Sequence, residues 1–394
     1  VFGPLKYSIL PQHLHEDELV SGNAWIESAT FAAILLGSIV GGLLIAIPVR
    51  GPHWAGITCV ALAVAGWLSS FGIPEAKPLG RVLINWNPLT ETGRNIAIAR
   101  RNRTVWLSMI GISWFWFYGA MLLTQFGPYV KDVLGGNEQL STFLLASFIV
   151  GIALGSLLAE RASGGRVEMG LVPLASIGLS AFGAELYFAS PAAPHANLGI
   201  AAFLAAPGSV RLIADLVLFG ISGGLFTVPL YAIIQSRSEP VFRSRIVAAN
   251  NILNAGFMVA SAGYAFLALH FGASIPELFL YTALMNIAVA VFIYSLVPEF
   301  LLRVIVWLLV HTVYRVRANG YGNIPAEGPA LLVSNHVSFV DPLILMAESR
   351  RPIRFVMDHR IFATPLLSFV FRSARVIPIA PAKEDEEMLR RAYD

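Results

Sequence analysis

AWIESATFAAILLGSIVGGLLIAI, residues 24–47, holds one charged side chain, Glu27, among 24 residues. A bilayer core is crossed by about 20 apolar residues in helical form, so this stretch predicts a membrane-spanning helix. Seven further stretches read the same way: 54–73, 105–126, 143–159, 169–189, 212–234, 246–270 and 278–297. The whole chain agrees, being 56% hydrophobic and 13% charged with a mean hydropathy of +0.68. Such a composition excludes a soluble protein of this length. The lone Cys59 lies inside an apolar run, which excludes a disulfide framework.

Charge alternates from loop to loop. Lys77, Arg81, Arg94, Arg100, Arg101 and Arg103 share one connection, Arg161 and Arg166 the next on that side, and Arg237, Arg243 and Arg245 a third. The opposite loops, 127–141 and 190–202, are nearly free of Lys and Arg. The positive-inside rule predicts that the basic loops are cytoplasmic, together with everything after residue 298. A net charge of +3, dispersed over loops, argues against nucleic acid as a partner.

Two regions repeat. FGPLKYSILPQHL at 2–14, followed by GNAWIE at 22–27, is similar to FTVPLYAIIQSRSEP at 226–240 followed by NNILN at 250–254. Tyr7 matches Tyr231, Asn23 matches Asn250, and Glu27 falls opposite Asn254. Repeated bundles are common in secondary transporters. With the long basic loop at 75–104, the repeat resembles the major facilitator superfamily of two six-helix halves. SLLAERASGGR, 156–166, is a loose echo of that superfamily's Gly-rich loop, with Ser156 in place of Gly and Glu160 in place of Asp. The resemblance implies that residues 1–300 are the end of helix 4 through helix 12, with about three and a half helices expected upstream of Val1.

The C-terminal part changes character. Residues 301–318 read as an apolar interfacial helix with a basic exit at Arg315 and Arg317. A turn-rich connector with Gly320, Gly322, Pro325, Gly328 and Pro329 leads to a strand-like stretch, 330–334. Asp341-Pro342 reads as a helix start, with Asp341 as the cap and Pro342 in the first turn. His336 then lies on a loop between strand and helix. A histidine held by a carboxylate can take the proton of an attacking hydroxyl; the alternative is that Asp341 only caps the helix.

GNIPAEGPALLVSNHVSFVDP, 322–342, resembles the glycerolipid acyltransferases, including their Asn-His-x-Ser-x-x-Asp block at Asn335, His336, Ser338 and Asp341. The resemblance implies that 319–394 begins a soluble α/β acyltransferase domain. In it His336 is the base, Asp341 orients it, and Asn335 and Ser338 support the catalytic loop. The acceptor would be a lysophospholipid hydroxyl. The donor would be an acyl thioester, from acyl carrier protein or coenzyme A, with no bound cofactor and no metal. FRSARVIPIAP, 371–381, stands where the family's phosphate-contacting block is expected, making Arg372 and Arg375 candidates; the alternative is a basic face toward anionic headgroups. The family's third block is expected beyond Asp394, which leaves this domain incomplete and inactive as it stands. ATP enters only if a downstream synthetase domain exists.

A facilitator-type bundle joined to such a domain resembles bacterial lysophospholipid recycling systems. The fold class expected is thus an all-α polytopic bundle followed by the start of an α/β domain. The activity expected is lysophospholipid flipping across the inner membrane followed by reacylation, of the 2-acylglycerophosphoethanolamine type. Two alternatives remain open: an acyltransferase whose bundle is only an anchor, and a solute or drug transporter with a vestigial acyltransferase domain. Within the spans, Asn23, Glu27, Asn250, Asn251 and Asn254 form a candidate polar patch, with interhelical hydrogen bonding as the alternative role. Asp215, four residues after Arg211, is expected to pair with it, while Glu185 is expected to be hydrated.

Overall fold

The computed structural model describes residues 2–45, 47–76, 85–163, 171–191, 198–296, 298–320, 323–325, 328–349, 353–365, 367–380, 385 and 387. Lys77, Arg81, Arg166 and the Gly-Gly of the 156–166 stretch, Gly322 and Pro381 lie outside these residues. Contacts divide the chain into two units, Val1–Val289 and Ala290–Asp394.

The described residues of the first unit are mostly helical, with one isolated bridge between Gly136 and Leu198. Its elements are α1 (Phe2–His13), α2 (Leu19–Ile45), α3 (Gly51–Ser70), α4 (Pro88–Arg100), α5 (Arg103–Pro128), α6 (Glu138–Ser163), α7 (Leu171–Phe188), α8 (Ile200–Ala205), α9 (Ser209–Arg237), α10 (Arg243–His270) and most of α11 (Ile275–Leu296). Among the described residues, seven of its segments are long and apolar enough to cross a membrane, and α11 is a further apolar helix. α5 and α9 are mostly buried inside the bundle. α3 exposes Trp54, Ile57, Val60, Leu62 and Trp67 along its length, together with Cys59. A surface of that kind is stable against lipid and not against water.

Helix starts follow local chemistry. Asn87 Oδ1 accepts from the Leu89 and Thr90 amides at 3.0 and 3.3 Å, and Pro88 occupies the first turn, so α4 begins there inside the basic loop. Asn102 caps α5 in the same way through Thr104 and Val105. Arg245 of α10 reaches Glu91 of α4 at 3.3 Å.

α6 and α9 pack with their backbones nearly touching. Gly151 and Gly155 on α6 face Gly220 and Gly224 on α9, and a Cβ at any of the four would run into backbone atoms of the other helix. Spacing of i, i+4 keeps each glycine pair on one helical face, which permits this close approach.

The second unit comprises the end of α11, α12 (Pro298–Val313), α13 (Asp341–Glu348), β1 (Val356–Asp358), α14 (His359–Phe362), α15 (Leu367–Ser373) and β2 (Ile377–Ile379). β1 and β2 pair in parallel with Val356 opposite Ile377, joined by α14 and α15 as a crossover. The stretch read as a strand, 330–334, has no regular structure, and Leu331 and Val333 are 89% and 84% exposed. Strand propensity alone does not form a strand; a ladder partner is needed, and the described residues supply none there. The apolar helix also differs from its expected span, starting at Pro298 and stopping at Val313, before Arg315.

Candidate functional site

α13 positions the first candidate site. Asp341 is the first residue of this helix rather than its cap, and Pro342 follows in the first turn. The carboxylate turns back over the preceding loop. Asp341 Oδ2 accepts from the Val337 amide at 2.6 Å and the Ser338 amide at 2.8 Å, and lies 3.2 Å from His336 Nδ1. The Asp341 amide in turn donates to the Ser338 carbonyl at 3.0 Å, and Ser338 Oγ accepts from the Val340 amide at 3.3 Å. The -x-Ser-x-x-Asp spacing is thus the length of one tight loop closed by a single carboxylate.

The amides of Ser338 and Val337, followed by His336, hold the Asp341 carboxyl below the usual carboxylate range. In the tautomer of His336 that carries its proton on Nδ1, Nδ1–H donates a hydrogen bond to the ionised Asp341 and Nε2 keeps its lone pair. The His336 side chain is 64% exposed and Asp341 28%, so a hydroxyl can approach. Asn335 is exposed beside it.

His336 and Asp341 line a cavity of about 1020 Å³. Five of its 23 described lining residues are polar: Ser334, His336, Asp341, Asp358 and Thr364. Its size matches the upper end of small-molecule sites, about 1,000 Å³, and the apolar lining suits a hydrocarbon chain. Arg372, on the last turn of α15, and Arg375, in the turn before β2 with φ of 50°, do not line this cavity.

The second candidate site lies in the bundle. Asn23 and Gln235 exchange bonds, Asn23 Nδ2 to Gln235 Oε1 at 2.5 Å and Gln235 Nε2 to Asn23 Oδ1 at 3.0 Å. Gln235 Nε2 also reaches the Tyr7 carbonyl at 2.9 Å. Glu27, 3% exposed, accepts from the Tyr7 hydroxyl, and Tyr231 is within hydrogen-bonding reach of Asn254 and Trp116. Tyr7 and Tyr231 stack face to face, centroids 4.3 Å apart and planes 3° apart. The repeat is therefore physical: related tyrosines meet each other, and each reaches the related position, 27 or 254, on the following long helix. Asn254 also lies 2.9 Å from Ser113. Asn250 is fully buried, and Asn251 is half-buried. Asn23 and Glu27 are thus linked through Gln235 and Tyr7, and the Tyr7–Tyr231 stack ties that cluster to α9; sequence spacing did not single out Gln235 as a site. Trp114 Nε1 on α5 donates to Asn286 Oδ1 at 2.7 Å.

At the other end of α9 the expected pairing is corrected. Arg211 binds Glu185 of α7, so Glu185 is ion-paired. Asp215 Oδ2 is buried with no hydrogen-bond partner among the described residues. A guanidinium fork can turn to a carboxylate on a neighbouring helix, an option invisible to i, i+4 spacing.

Residues 315–393 match the family model described as Acyltransferase. Over 245 residues the chain is 30% identical to the lysophospholipid transporter LplT of Enterobacter sp. (strain 638), covering 60% of this chain and 55% of that protein. The LplT of Klebsiella pneumoniae (strain 342) gives 30% over 242 residues with the same coverage. That of Pectobacterium carotovorum subsp. carotovorum (strain PC1) gives 27% over 279 residues, 70% of this chain and 63% of the relative. The chain spans about half the length of the first two relatives. No solved structure matches it. A segment similar to LplT and a segment that matches the Acyltransferase model are thus joined in one chain with several apolar helices long enough to cross a membrane.

Proposed function

We propose that the protein carrying this chain moves lysophospholipid across the bacterial inner membrane and reacylates it on the cytoplasmic side from an acyl thioester. The observation that carries this reading is the His336–Asp341 pair, 3.2 Å apart within the acyltransferase match, on the same chain as an LplT-like bundle. His336 Nε2 would take the proton of the lysolipid hydroxyl as its oxygen attacks the thioester carbonyl. The thiol would leave and the new ester would remain on the lipid. No covalent enzyme intermediate is needed. Joining the two activities would raise the concentration of arriving lysolipid at the second site. Acyl carrier protein or coenzyme A would be the thiol, and the positive-inside pattern supports the cytoplasmic placement of residues after 298.

The test uses the full protein in proteoliposomes with labelled lysophosphatidylethanolamine outside and acyl thioester inside. Wild type is expected to take up the lipid and form diacyl product. His336→Ala is expected to keep uptake and lose acylation by about 10²-fold or more, the scale of general-base catalysis. If wild type acylates only lipid already in the inner leaflet, the bundle is an anchor and the transport half of the proposal fails.

A further inference from the structure

α12 links the bundle to the acyltransferase segment, and its sequence reads as a tether. Its geometry gives it a second role. Leu302, Ile305, Val306 and Leu309 all line the cavity that holds His336 and Asp341. Their spacing is i, i+3, i+4, i+7, one continuous apolar stripe on one helical face. Leu308, a large side chain one residue before Leu309, is not among the lining residues. The helix is also held in place. His311 Nε2 meets Glu348 Oε1 of α13 at 3.3 Å, and the His311 ring stacks on Trp307 at 4.5 Å between centroids. Asp341 begins the same α13 that Glu348 ends, so α12 and the His336–Asp341 pair both meet this one helix.

We propose that α12 is the gauge of the acyl site: its Leu302–Leu309 stripe is the wall against which the donor's fatty acyl chain lies, and its side chains set the chain length accepted. This rests on the acyltransferase reading of residues 315–393. A chain with no polar atoms fits a wall with none, and the thioester end would meet the polar lining around His336. Hydrocarbon chains are selected by the volume left to them, with one methylene worth about tenfold or more where a wall is close.

The experiment measures kcat/KM in the full protein for saturated acyl thioesters of stepped length, using wild type, Leu302→Trp, Leu309→Trp and Leu308→Trp. Background is taken from His336→Ala. The long-to-short donor ratio is expected to fall about tenfold or more in at least one stripe variant and to hold in Leu308→Trp. Transfer from the shortest donor shows that a variant is folded; where Trp abolishes that too, Leu309→Phe and Leu302→Phe give the reading. An unchanged ratio in the stripe variants, or the same fall in Leu308→Trp, overturns the proposal. A ratio that moves with the length of the lysolipid acceptor instead of the donor assigns the stripe to the acceptor chain and overturns it as stated. Wild type no more active than His336→Ala would defeat the acyltransferase reading itself, a distinct result.

Discussion

At the residue scale the loop at 335–341 hangs on one oxygen. Asp341 Oδ2 receives two backbone amides and faces His336, so it closes the loop and, in the proposed reaction, would also orient the histidine. Its carboxyl is depressed chiefly by the backbone donors. A depressed group contributes loop order fully above the ordinary aspartate value, about 3.9, and loses it only as pH falls through the lower folded value. The Val337 and Ser338 amide resonances are therefore expected to titrate with a midpoint below that of an ordinary aspartate. His336→Ala should move the midpoint only slightly, because the histidine contributes less than the two amides. A midpoint at the ordinary value in wild type would refute the arrangement. Asp341→Asn is expected to lower acyl transfer by about 10²-fold or more and to speed amide exchange at both positions. The block Asn335–Asp341 was legible from sequence because its chemistry is local. Arg211 was not, since its partner Glu185 is 26 residues away on another helix.

At the element scale two devices hold the bundle. The first is the glycine-lined crossing of α6 and α9, where Gly155→Leu places a side chain against the Ile221 carbonyl. Overpacking of this kind costs about 1–3 kcal/mol or more. The variant is expected to melt at lower temperature than Gly263→Leu, whose position has open space around it. The second is the Tyr7–Tyr231 stack. A double-mutant cycle with Tyr7→Leu and Tyr231→Leu is expected to return a coupling of about 0.5–1.5 kcal/mol, and near-zero coupling in detergent unfolding would show the rings to be neighbours only. The glycine spacing on both helices stood in the sequence at i, i+4, but only packing says which helix faces which. The tyrosines stood out as repeat partners, while their meeting face to face depends on how α1 and α9 cross.

At the scale of the whole molecule, the two units are expected to fail separately. Gly155→Leu should reduce lysolipid uptake in proteoliposomes while leaving acylation of lysolipid supplied in detergent within about twofold, since the two positions belong to separate units and sites that share no partners act independently. His336→Ala should do the reverse. Parallel loss of both activities in both variants would show instead that transport and acyl transfer are one coupled step.

Composition and apolar run length determined by themselves that this is a polytopic membrane chain, because burying a helix in lipid depends on its own side chains and backbone bonds alone. The loop chemistry at Asn335–Asp341 was likewise readable, since all its partners lie within a few residues. Tertiary structure alone decided the rest. It left 330–334 without a ladder among the described residues and paired β1 with β2 across 21 residues of register. It placed Asn23 against Gln235 and turned one face of α12 into a cavity wall. Each of these joins residues far apart in the chain, and such contacts are set by how whole elements pack, which no local pattern encodes.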